Sequence, residues 1–362
     1  MADEATGNIV SDPRETRTLL GHEMAESEIL SAWNQDRFAH SWMISGPRGI
    51  GKATMAYRIA RFVLAGGGDD NLFGGPDSLT VSEDDPVFRR IAGNAHADLK
   101  VVERNFDTKR DRRRDEIVVE DVRDLVSFFS MTAAEGTWRV TIVDSADEMN
   151  RNAANALLKT LEEPPTHGLV ILIAHVPGRV PATLRSRCRR LSLHPLAPEL
   201  VGQIIGQQRP DIAEDKRQAL GRLANGSPGE ALALADSGGL ALYKEIVELI
   251  SGLPTVDMLA VHKLGDRLNR REEGDTFRTV ATLLLQWLER MIHGAATGAF
   301  PPPVVTGENE IMARLAQVGG LERWCEVWEK VRDLFSATNA VNLDRKQVLL
   351  NVFSTLQTTS RA

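Results

Sequence analysis

The stretch "SGPRGIGKAT", Ser45–Thr54, decides how this chain is read. It follows an apolar run, "SWMIS" (Ser41–Ser45), and leads into "KATMAYRIARFVL" (Lys52–Leu64), which carries Met55, Ile59 and Phe62 on one side at helical spacing. Strand, then G-x-x-x-x-G-K from Gly46 to Lys52, then helix is the arrangement of a phosphate-binding loop. Its glycines let backbone N–H groups turn inward around phosphate oxygens, the helix N-terminus adds positive potential, and the lysine reaches the outer phosphates. The candidate nucleotide-binding residues are Gly46, Pro47, Arg48, Gly49, Ile50, Gly51, Lys52, Ala53 and Thr54. One position departs from the pattern. P-loop ATPases place a Ser or Thr hydroxyl directly after the lysine to hold Mg²⁺, and here that residue is Ala53. Thr54 is a poor substitute, because one residue along a helix turns a side chain by about 100°.

The flanking sequence predicts an α/β domain. "LKVVE", "RVTIVD" and "GLVILIAHV" read as further buried strands, with helices at "EDVRDLVSFFS" and "RNAANALLKTLEEPP", the second stopped by Pro164. Short apolar runs alternating with helical patterns favour a parallel sheet with crossover helices. After Pro198 the strands cease. We expect a P-loop α/β domain over residues 1–195, a small helical lid over 196–239 and an all-helical collar over 240–362. In the last part, Phe277, Val280, Leu284, Leu288 and Met291 form one stripe, and Trp324, Trp328, Val331 and Phe335 another, most simply as core. Two loops interrupt the order: Ala65–Pro86, rich in glycine and acid, and the charged Asp107–Glu116, read as a solvated loop rather than a DNA contact.

Bulk properties bound the function. The chain has 362 residues, is 42% hydrophobic, and carries 43 basic against 50 acidic side chains for a net charge of −7. That balance suits shared contact with nucleic acid better than tight solitary binding. Two cysteines, Cys188 and Cys325, exclude a disulfide framework and a four-cysteine zinc site. No apolar run is long enough to span a bilayer and the N-terminus lacks an apolar signal core, so a cytoplasmic protein without membrane contact is expected.

A second acidic motif is expected on a strand neighbouring that of the loop, and "VTIVDSADEMN" supplies Asp144 at a strand end. ATPases of this type place a glutamate next, to polarise the attacking water; here it is Ser145. A third motif is Ser186-Arg187-Cys188 within "TLRSRCRR". Together with "NALLKTLEEPP", these residues resemble the clamp loaders among the AAA+ ATPases. "HSWMISGPRGIGKAT", "VDSADEMN", "GSPGEAL" and "NLDRKQ" are most similar to the delta-prime family of DNA polymerase III subunits.

The resemblance implies a subunit of a hetero-pentameric ring containing gamma/tau-type motor and delta subunits. Such a ring places a sliding clamp on primed DNA, and any DNA polymerase (nucleotidyltransferase) activity belongs to the larger complex. It implies that Arg187 is an arginine finger acting in trans on a neighbour's ATP. It also exposes departures. The second sensor's arginine is replaced at Gly229, the first sensor falls at Ala174 or His175, and the zinc module found after the first helix in many relatives is matched by Ala65–His96, which has no cysteine. With Ala53 and Ser145 these changes predict ATP or ADP bound without turnover, doubtful Mg²⁺ and no zinc. Gly21 and His22 would border the adenine. The competing readings are a slow but active AAA+ ATPase and a nucleotide-sensing adaptor outside replication.

Overall fold

Runs of Val, Ile and Leu that alternate between two covered faces force a sheet buried on both sides. The computed structural model of the protein, which describes residues 12–67, 75–107, 112–268, 274–341 and 343–361, contains that sheet. Its strands are β1 (Ser41–Ser45), β2 (Leu99–Glu103), β5 (Arg139–Asp144), β6 (Gly168–Ala174) and β7 (Arg189–Ser192), in the order β2-β5-β6-β1-β7. Every pairing among them is parallel. The short β3 (Phe106–Asp107) and β4 (Arg112–Arg113) form a separate antiparallel pair at the ends of the charged loop, whose residues 108–111 lie outside those described.

Contacts divide the chain into two units, Met1–Gln208 with Gly226–Glu230, and Arg209–Asn225 with Ala231–Ala362. The segment 196–239 contributes to both.

In the first unit, α1 (Glu23–Asn34) and α2 (Lys52–Leu64) cover one face of the sheet, with Trp42, Ile44, Ile142, Ile171 and Ile173 pointing to them. The other face presents Met43, Val143, Val170 and Leu172 to α4 (Val119–Ser130), α5 (Arg151–Glu162) and α6 (Ala182–Arg185). Asn150 caps α5 by accepting the Ala153 N–H at 2.9 Å. The described part of the cysteine-free insertion joins the first core: Leu79 is buried, as is Ile91 on α3 (Pro86–Ala92). The unit also holds α7 (Pro198–Gln208). The sequence reading did not include β7. Arg189, Arg190 and Ser192 are exposed and only Leu191 is buried, so this edge strand carries too little apolar signal.

The second unit is helical: α8 (Glu214–Leu223), most of α9 (Pro228–Asp236), α10 (Gly239–Ser251), α11 (Met258–Leu268), α12 (Gly274–Thr297), α13 (Glu308–Gly319), α14 (Leu321–Val341) and α15 (Arg345–Thr359). The expected stripe on α12 is buried throughout, and on α14 Trp324, Val331 and Phe335 are buried while Trp328 is half-buried. The proline break before α13 is held by Glu308. This fully buried carboxylate accepts the Val304 N–H at 2.6 Å and the Tyr243 hydroxyl, and stands 3.6 Å from Arg290.

In the first unit, fully buried Asp98 accepts the amides of Ala134 (2.8 Å) and Glu135 (2.9 Å) and faces the Arg139 guanidinium at 3.6 Å. Asp98→Ala leaves both amides without their acceptor and the Arg139 guanidinium, still bonded to the Phe128 and Thr132 carbonyls, without its counter-charge, so denaturant unfolding should show a loss of about 3–5 kcal/mol.

Candidate functional site

Strand β1 delivers its loop to the C-terminal edge of the sheet, between β6 and β7. The loop is defined by where its carbonyls go. Lys52, buried at the start of α2, donates to the Gly46 carbonyl at 2.8 Å and to that of Pro47. Ser227 Oγ donates to Arg48 O at 2.8 Å, the Gly229 N–H to Gly49 O at 2.8 Å, and His22 Nε2 to Ile50 O at 2.9 Å. Each carbonyl from Gly46 to Ile50 is thereby occupied. Among the described residues, the amide N–H groups of Arg48–Lys52 make no hydrogen bond. This is a nest of donors suited to phosphate oxygens.

Two glycines make the arrangement possible. Gly49 has φ +70°, and a Cβ there would lie 2.5 Å from Ser227 Oγ. A Cβ on Gly229 would lie 2.7 Å from Gly49 Cα. Gly229 therefore does more than replace an arginine, because the backbone approaches too closely for any side chain at that position.

The acidic end of β5 is not adjacent to the loop strand, which corrects the expectation of a neighbouring strand: β6 stands between β5 and β1. Asp144 still reaches the site, since its charge acts on Lys52. Ser145 Oγ donates to Asp144 Oδ1 at 3.0 Å and meets His175 Nε2 at 2.8 Å. With its proton on Asp144, the hydroxyl accepts Nε2–H, which leaves Nδ1 as a buried acceptor with no partner among the described residues. Asp147 fixes the turn after β6 by accepting the N–H groups of His175 and Val176, both at 3.0 Å. Ala174, the other first-sensor candidate, is buried in the core, so His175 is the residue facing the site.

Burial dominates the electrostatics. It pushes Lys52 down to about 8 despite Asp144 and Asp147. It pushes His175 down to about 4, helped by the positive charges of Lys52 and Arg48, so the imidazole is neutral. Burial also raises the Asp144 carboxyl. The donor nest and Lys52 fit the phosphates of a nucleotide. The fit for Mg²⁺ is poor: Ala53 offers no oxygen, half-buried Thr54 sits one residue further round the first turn of α2, and Asp144 already accepts from Ser145.

Arg187 lies elsewhere. Trp42 pairs with Arg189 and Ser45 with Ser192, so Arg187 precedes the start of β7 on the N-terminal edge of the sheet. Ser41 Oγ, at the start of β1, donates to its carbonyl at 2.7 Å. Five strand residues separate Arg187 from the level of the loop, roughly 16 Å, which is longer than an arginine side chain. Its Nη2 contacts Glu162 at 2.7 Å and its Nη1 donates to Thr183 O at 3.0 Å. Cys188 beside it is buried, which pushes the thiol up to about 11 and leaves it unreactive.

Of Gly21 and His22, only His22 contacts the loop. His22 holds the Ile50 carbonyl, while a Cβ on Gly21 would meet Leu196 and Leu200 at 2.7 Å. Sequence reasoning missed Ser227 as a loop contact and missed Glu148, which bridges Arg48 at 2.7 Å and Arg104 at 2.8 Å over the loop. Ser227 lies within "GSPGEAL", but no local pattern signals a contact 179 residues away in the chain.

Residues 21–197 match the protein family described as DNA polymerase III, delta subunit. The delta' subunit of DNA polymerase III from Pseudomonas aeruginosa is 31% identical over 215 residues, 59% of this chain and 61% of that protein. The delta' subunit from Bacillus subtilis is 30% identical over 209 residues, 57% of each. The tau subunit from Bacillus subtilis is 29% identical over 283 residues, 76% of this chain and 47% of that protein. The chain thus spans between 47% and 61% of the length of these relatives. Among solved structures, a DNA polymerase III gamma-subunit-related protein from Thermotoga maritima aligns over 92% of this chain and 100% of that one, at 15% identity and a TM-score of 0.41. With its loop, acidic strand end and Ser-Arg-Cys segment in the places described, the chain is similar to bacterial DNA polymerase III clamp-loader subunits, most directly over residues 21–197.

Proposed function

We propose that this chain is a non-motor, delta-prime-type subunit of a clamp loader, which completes a neighbour's ATP site through Arg187 and does not itself turn over ATP. The separation of the two chemistries carries the reading. The chain's own loop lacks the Mg²⁺ hydroxyl at Ala53, has Ser145 in place of the water-polarising glutamate, and has no room for an arginine at Gly229. Arg187 sits on the opposite edge of the sheet, out of reach of that loop. Its half-exposed guanidinium would stabilise the charge on a phosphoryl group transferring in the adjacent subunit. ATP or ADP would be held by the amides of Arg48–Lys52 and by the Lys52 ammonium, without catalysis and without a strongly bound metal.

In this reading the chain divides into an α/β domain, a lid over 196–239 and a collar over 240–362. Gamma/tau-type motor and delta subunits complete a hetero-pentameric ring in the cytoplasm that opens a sliding clamp and sets it on primed DNA. Among the described residues no helix is long and apolar enough to cross a membrane.

Three measurements test the proposal. The purified chain should show no ATP hydrolysis that depends on Lys52; turnover that disappears in Lys52→Ala would make it a motor. In a reconstituted loader, Arg187→Ala should lower DNA-stimulated hydrolysis at the one affected site by up to ~10³-fold, whereas undiminished hydrolysis would remove the trans role. Nucleotide binding to the isolated chain should also depend on pH. Lys52 titrates near 8 in the free site, and a bound phosphate would raise that value. Affinity is then full below pH 8, falls as pH rises above it, and loses this dependence in Lys52→Ala.

A further inference from the structure

The sequence "TLEEPP" offers two adjacent glutamates at the end of α5, and only the structure distinguishes them. Glu162 approaches Arg187 Nη2 at 2.7 Å, whereas the described contacts of Glu163 are limited to its backbone N–H on Lys159 O at 3.1 Å. We propose that Glu162 is the positioning residue for Arg187, aiming its guanidinium at the neighbouring subunit's nucleotide. The inference rests on the trans role of Arg187 argued above.

The geometry has three independent anchors. Ser41 on β1 holds the Arg187 backbone through its carbonyl, at 2.7 Å. Thr183 O on α6 accepts Nη1–H at 3.0 Å, and Glu162 at the end of α5 takes Nη2. The two side-chain contacts use different terminal nitrogens of one planar fork, so together they set its direction as well as its place. The other N–H donors of the fork remain available to phosphate oxygens. An arginine on a surface otherwise samples many rotamers, and ordering it only in the transition state would raise the barrier. Here that freedom is lost on folding.

The pair does not serve the stability of the fold. Arg187 is 38% and Glu162 49% exposed, and ion pairs this open to water contribute little to stability. Pro164 and Pro165 stop α5 just beyond Glu162, which keeps the carboxylate at the helix end rather than one turn further on.

The test uses the complete reconstituted loader with clamp and primed DNA, comparing Glu162→Ala, Glu162→Gln, Glu163→Ala, Arg187→Ala and the Glu162→Ala/Arg187→Ala pair. Expected is a roughly ten- to hundredfold lower kcat at the affected site in Glu162→Ala, with KM for ATP and ring assembly unchanged. Glu162→Gln, which keeps an acceptor for Nη2–H, should recover most of the rate, and Glu163→Ala should match the unmodified chain. In the Arg187→Ala background, Glu162→Ala should cost nothing further. An unchanged or raised kcat in Glu162→Ala beside a lowered one in Arg187→Ala would overturn the positioning role and leave the trans role standing. An unchanged rate in Arg187→Ala would overturn both.

Discussion

Parallel pairing gives a sheet two chemically different edges, and the arrangement of this protein depends on that polarity. All strand C-termini of the β2-β5-β6-β1-β7 sheet meet on one side, which gathers the loop after β1, Asp144 after β5 and His175 after β6. The N-terminal edge collects the start of β1 and the turn into β7, and with them Arg187. In the proposed reading the loop and Arg187 serve different nucleotides, and so belong on different edges. Strands running in one direction separate them without any further device.

At the C-terminal edge, occupied carbonyls organise the loop. Lys52, the Ser227–Gly229 segment and His22 come from three places in the chain and take every carbonyl from Gly46 to Ile50. With the carbonyls occupied and the Arg48–Lys52 amides unpaired among the described residues, the loop holds the receptor that the proposed nucleotide binding needs. The same packing that forms the receptor limits its chemistry. Gly229 is pressed against Gly49, and Ser145 links Asp144 to a neutral His175. No carboxylate is placed to polarise a water where Ser145 stands. Retained binding geometry beside altered hydrolysis positions agrees with the proposed division of labour, in which the reactive cation points outward.

Much of this was legible in the residues. The loop glycines and Lys52 carry a spacing that only a phosphate-binding turn needs, and α2 spans Lys52–Leu64 as its periodicity predicts. Strands β1, β5 and β6 were readable because both faces are covered and their runs are mostly apolar, and the edge strand β2 because Leu99, Val101 and Val102 keep an apolar signal. Strand β7 was not, since an edge strand whose arginines face water resembles a loop. The adjacency of β5 to the loop strand was misjudged for a related reason: strand order is set by crossover packing, and β6, which intervenes, comes later in the chain.

The amino-acid sequence settled local matters: which segments bury themselves, where the glycine-rich turn between β1 and α2 lies, and that the hydroxyl after Lys52 is missing. Those depend on neighbours within one turn or one strand, where side-chain type dictates conformation directly. Tertiary structure decided the long-range matters. It chose His175 over Ala174, brought Ser227 and Gly229 onto the loop, and selected Glu162 over Glu163 as the partner of Arg187. These choices are made by contacts between residues distant in the chain, whose geometry follows from strand order and helix ends and leaves no periodic trace in the sequence.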